Sequence, residues 1–128
     1  MIGREKSRRL ESWYVFLVVL HSYCVGFFLL FATRWGAQFG GWGEVEPLFF
    51  ARQAGAFHFV VATGYLLEYF RHRRITLLLS AKSFGVVFLA AMALLTEQPW
   101  AVPLSAVADG AMALLAWALH RRADWPAG

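Results

Sequence analysis

Charge, cysteine and proline are all scarce in this 128-residue chain: 16% of residues are charged, there are four prolines, and Cys24 is the single cysteine. The charged share falls well below the roughly 25% usual in soluble domains, and the composition excludes a disordered or collagen-like chain. One cysteine excludes an intramolecular disulfide framework, a thiol pair and a cysteine-rich metal site. The sequence also lacks a G-x-G-x-x-G after a strand, a P-loop and an H-E-x-x-H, so no established soluble active site is written in it. Its one glycine cluster, Gly40-Gly41-Trp42-Gly43, precedes no helix N-terminus that would cradle a phosphate.

What the chain has instead is apolar residues in blocks: 59% are hydrophobic, 17% aromatic, and the 22 residues from Ser12 to Thr33 include no Asp, Glu, Lys or Arg. A soluble domain of this length would show periodic rather than blocked apolar residues. Four stretches stand out, Trp13 to Thr33, Phe49 to Phe70, Ile75 to Leu95 and Ala101 to His120. Each is about 20 residues, enough at 1.5 Å per residue to cross a hydrocarbon core of roughly 30 Å. The sequence therefore predicts an all-α integral membrane protein, a single domain built as a four-helix bundle. The joint Arg71-His72-Arg73-Arg74 is short enough to make the second and third helices antiparallel neighbours.

The net charge of +4 would point to nucleic acid in a soluble protein, but nine of the twelve Lys and Arg fall in three clusters at the ends of apolar blocks. These are Arg4, Lys6, Arg8 and Arg9, then Arg71, Arg73 and Arg74, then Arg121 and Arg122. All three lie on one side of a four-span arrangement. By the positive-inside rule both termini face the cytoplasm and the loop 34–48 faces outward across a bacterial inner membrane. Anionic lipid headgroups, not nucleic acid, are the expected partners of these cations. Trp13, Tyr14, Tyr69, Phe70 and Trp117 form one interfacial belt, and Trp35, Trp42, Phe49 and Trp100 the other. The first stretch is too long for a signal-peptide apolar region and no small-x-small site follows it, so retention is expected. The aromatic- and glycine-rich loop is expected to fold back on the outer interface.

Polar groups inside hydrocarbon are costly and single out His21, Arg52, His58, Tyr65, Glu68, Lys82 and Asp109. Arg52 and Glu68 are near span ends and can snorkel. By helical rise, Lys82 is about 10 to 12 Å deep and Asp109 about 16 Å. The third span's eleven Leu, Ile, Val and Phe residues outweigh one lysine on the insertion scale, whereas the fourth has six, whose gain of about 3 kcal/mol one aspartate roughly cancels. That helix needs a partner for its carboxylate. Lys82 on the adjoining helix is the expected one, with Glu68 as an alternative partner for the lysine. The pair reads as an assembly lock or as a proton or ligand site.

Ala51, Gly55, His58, Ala62 and Tyr65 fall on one stripe of the second span. Ala106, Gly110 and Ala113 fall on one stripe of the fourth, and if the two stripes meet, His58, Tyr65, Lys82 and Asp109 form a buried polar cluster. His21 and His58 raise the idea of a haem with two imidazole ligands, but their depths, about 12 and 18 Å, differ. No metal site is expected.

Arg52-Gln53-Ala54-Gly55 opening a span, Lys82 in the next, and Asp109-Gly110 in the last resemble the DoxX-like small four-helix bacterial inner-membrane proteins, over roughly Phe49 to His120. The first span and its loop do not match. The resemblance implies an accessory role beside membrane oxidoreductases, including quinone-linked ones, and transfers no catalytic residue. The expectations are then an accessory or small-ligand-binding membrane protein with a protein partner or a homo-oligomeric state. The alternatives are a subunit interacting with quinone or haem, or an enzyme acting on a lipid or isoprenoid with Asp109 or Glu68 as proton donor.

Overall fold

A computed structural model describes residues 2–124 and contains five α-helices and no strand among them. They are α1 (Ile2–Phe31), α2 (Thr33–Phe39), α3 (Leu48–His72), α4 (Thr76–Leu95) and α5 (Ala101–Asp124). By length and composition α1, α4 and α5 can cross a membrane. The second apolar stretch forms α3, of 25 residues, which is not among those three; Arg52, Gln53, His58, Tyr65 and Glu68 lower its hydropathy. α1 starts well before the apolar stretch, because Arg4 to Arg9 continue the helix as its exposed first turns.

Each long helix runs antiparallel to its neighbours. Ser12 meets Tyr69, Tyr23 meets Thr63, and Gly26 meets Gly55 along the α1/α3 seam. Arg4 and Ala123, then Tyr14 and Met112, mark the α1/α5 seam. Lys82 and Asp109 mark α4 against α5. All three cation clusters consequently gather at one end of the molecule. The nearest neighbours in sequence, α3 and α4, touch little. Their contacts are near the joint, where Gly64 approaches Leu77 and the Glu68 Oε2 accepts from the Leu77 backbone N–H at 2.8 Å. Arg73 makes that joint tight by taking a left-handed backbone, φ 54°.

The apolar core lies towards the cation-rich end, where Val15, Val18 and Val19 of α1 pack on Ala62, Tyr65 and Tyr69 of α3, with Leu78 and Ala116 closing it. The outward faces of α4 and α5 are the reverse of a soluble surface. Phe84, Leu94 and Val107 are 79%, 85% and 71% exposed, a continuous apolar exterior that suits lipid.

At the other end the chain between the first two apolar stretches contains α2, which sequence patterning does not reveal. Trp35 and Phe39 stack along it at 5.3 Å. Gly41, at φ 90°, turns the chain so that a Cβ there would lie within 3.0 Å of the Trp100 ring, and Phe39 meets the same ring edge-on. This loop thus folds over the α4/α5 turn. Arg34 donates to Glu46 at 2.8 Å across it, which holds the guanidinium pKa above its ordinary value.

Candidate functional site

The α4/α5 seam carries an ion pair between two apolar helices. The Lys82 Nζ donates to the Asp109 Oδ1 at 2.6 Å, with the lysine side chain 7% and the aspartate 20% exposed. One glycine makes room for the pair. A Cβ on Gly85, one turn beyond Lys82, would meet the Asp109 Oδ2 at 3.2 Å, and one on Gly110 would meet Val86 at 3.7 Å. The bare Gly85 backbone therefore leaves the carboxylate its place against α4. In surroundings of low dielectric such a pair is retained only when each charge compensates the other. Glu68 is not the lysine's partner, because it is engaged in capping the first turn of α4.

His58 and Tyr65 of α3 and His21 of α1 all lie within electrostatic reach of this pair, and His58 within reach of His21. Of these five, Lys82 and Asp109 are in contact, and His21, His58 and Tyr65 stand around them at longer electrostatic range. Arg52 stands apart, exposed near the start of α3. Burial within the group is uneven: Tyr65 is buried, His58 is half-buried, and His21 is exposed on the side of α1. Among the described residues no three His, Cys, Asp or Glu side chains form a metal-holding group.

The small-residue stripe of α3 corrects one expectation. It faces α1 and not the stripe of α5: a Cβ on Gly55 would lie 2.7 Å from the Leu30 backbone nitrogen and 2.8 Å from the Gly26 carbonyl oxygen. Gly110 of the α5 stripe lies beside Val86 of α4. Periodicity marks a face that packs closely, but the choice of neighbour depends on which other helix offers a matching glycine, and Gly26 does.

A second polar group at the cation-rich end has no counterpart in the sequence reading. Glu11, 4% exposed, lies 2.5 Å from the His120 Nδ1, and the His120 Nε2 is 3.1 Å from Asp124. Beside it the Ser12 hydroxyl donates to the Arg8 carbonyl, which leaves its oxygen to accept from the Tyr69 hydroxyl at 3.0 Å and from Arg73 at 3.1 Å. The available signal was Glu11 directly before 22 uncharged residues, with His120 and Asp124 one helical turn apart at the far end of the last span. Comparison with family models, with curated proteins and with solved structures finds no match for this chain.

Proposed function

We propose that this chain is a four-span protein of a bacterial inner membrane that binds a small ligand beside the Lys82–Asp109 pair, in the manner expected of an accessory membrane protein. The observation that carries the reading is His21, a polar ring exposed on the side of α1 within reach of a buried ion pair. A pair that only locked two helices together would not call for histidines around it. A polar ring open at hydrocarbon depth costs free energy until something covers it. The resemblance to DoxX-like proteins is in keeping with an accessory role.

In this reading α3 is the fourth span, with His58 and Tyr65 on the side of the ion pair and Arg52 and Glu68 nearer its ends, and both termini face the cytoplasm. Reporter fusions after Gly43 and after Arg74 test the topology: the first is expected to report the periplasm and the second the cytoplasm, and the opposite pattern contradicts it. Ligand binding is tested by extracting the purified protein and its His21→Phe and His58→Phe variants and identifying retained small molecules by mass spectrometry. One compound held by the parent and lost from folded variants is expected. Equal content in all three contradicts the reading, and a stoichiometric protein partner in its place assigns His21 to a subunit contact.

The proximity of His21 and His58 favours one second reading, a subunit interacting with haem or quinone. Visible absorbance or quinone in the same extract distinguishes it.

A further inference from the structure

At the cation-rich end two concavities adjoin. The first is a cavity of about 330 Å³ with Arg8, Arg9 and Arg73 in its wall, together with Glu5, Ser12 and the His120 group. The second, of about 370 Å³, is an open and largely apolar groove formed by Trp13, Phe16 and Phe70. Arg9 and Ser12 line both, so the polar cavity opens directly into the apolar groove.

Three arginines and His120 face three carboxylates, Glu5, Glu11 and Asp124, in the first cavity, but they are unevenly paired. Glu11 and Asp124 are both engaged with His120. Among the described residues none of Arg8, Arg9 and Arg73 forms an ion pair with a carboxylate, Glu5 in the same wall included, and Arg73 is held in place by Ser12 and by the Tyr69 ring, 5.3 Å from its guanidinium carbon. Guanidiniums gathered around a cavity without carboxylate partners suit phosphate oxygens, which they can grip through paired donors. The groove suits a hydrocarbon chain. Trp13 is 62% exposed, Phe70 45% and Phe16 42%, and these rings begin where the arginines end. A polar cavity and an apolar groove joined at Arg9 and Ser12 have the two-part form of an amphiphile.

We infer that this end of the molecule is a binding site for one anionic phospholipid, with its phosphate against Arg8, Arg9 and Arg73 and the start of one acyl chain along Trp13, Phe16 and Phe70. The site is separate from the Lys82–Asp109 group and does not depend on the ligand proposed there. Ser12 stands at the junction of head and tail, its hydroxyl fixed by Tyr69 and Arg73. The general attraction of basic clusters for a charged leaflet is diffuse. This site differs in placing particular arginines at one end of one groove.

The test is native mass spectrometry of the full-length protein in detergent, titrated with phosphatidylglycerol and with phosphatidylcholine of the same chain length. The parent is expected to bind one phosphatidylglycerol about tenfold more tightly than phosphatidylcholine. The double variant Arg8→Gln/Arg9→Gln, on an exposed helix face, should lose most of that preference at unchanged thermal stability. Phe16→Ala/Phe70→Ala should weaken both lipids together. Arg74→Gln, a cation at the same end outside the cavity, should change neither. Equal binding of the two lipids by the parent overturns the proposal, as does a loss with Arg74→Gln matching that of the double variant, which means diffuse charge. Full displacement of the lipid by inorganic phosphate also overturns it, because the groove then contributes nothing.

Discussion

The α1/α3 seam and the α4/α5 seam hold helices together by opposite means. Along α1/α3 the backbones come together through Gly26 and Gly55, each so close to the opposite helix that a Cβ would meet backbone atoms within 3.0 Å. No charge is buried at that crossing. Along α4/α5 the glycines are looser, with a Cβ on Gly110 finding its nearest neighbour at 3.7 Å, and the seam is marked by a buried ion pair instead. Where apolar surroundings remove the hydrophobic drive between helices, close packing and polar contacts are the remaining forces, and this molecule uses one at each seam.

The contrast implies different responses to substitution. The largest effect is expected at the ionic seam. Asp109→Leu leaves the Lys82 ammonium buried and unpaired, so it should destabilise by about 3 to 5 kcal/mol, read as a lowered thermal midpoint in detergent. Gly55→Leu comes next at about 3 kcal/mol, because the clash is with backbone that has no rotamer to adopt. Val60→Leu on the outward face of α3, where the native residue is 67% exposed, should stay within about 0.5 kcal/mol. Equal loss of folded protein from these two α3 variants would mean that the glycine seam contributes nothing to folding.

A smaller effect sharpens the comparison at the cation-rich end. Glu11→Gln keeps the shape and one hydrogen bond to His120 but removes the charge, and should lower stability by about 1 kcal/mol. Unfolding of Glu11→Gln as extensive as that of Asp109→Leu would show that the two acid sites are equivalent, contrary to the distinction between a span-edge cluster and a deep pair.

How far these features could be read in advance follows from how each is encoded. Lys82 and Asp109 are legible because a charge within an apolar stretch stands out, and helical rise puts the two at comparable depth on adjoining helices. Glu11 and His120 are not, because charged and polar residues are ordinary at the edge of an apolar stretch and their partnership joins positions 109 residues apart. Gly55 and Ala62 announce a packing face through their spacing with His58. That the face meets Gly26 is a property of the assembled helices. The helix α2 escapes because seven residues containing a glycine, Thr33 to Phe39, are too few to show a period. The onset of α1 is missed for a different reason: hydropathy finds where a helix becomes apolar, and the helix itself begins eleven residues earlier, at Ile2 rather than Trp13.

The most direct measurement of the central claim, that Lys82 and Asp109 are one buried ion pair, is a double-variant cycle with Lys82→Met, Asp109→Leu and both together. Thermal stability is read for all three and the parent in one detergent. A shared pair predicts that each single variant is strongly destabilised and that the double variant recovers most of the loss, a non-additivity at the upper end of the roughly 0.5 to 3 kcal/mol seen between contacting residues. Losses that simply add in the double variant would contradict it.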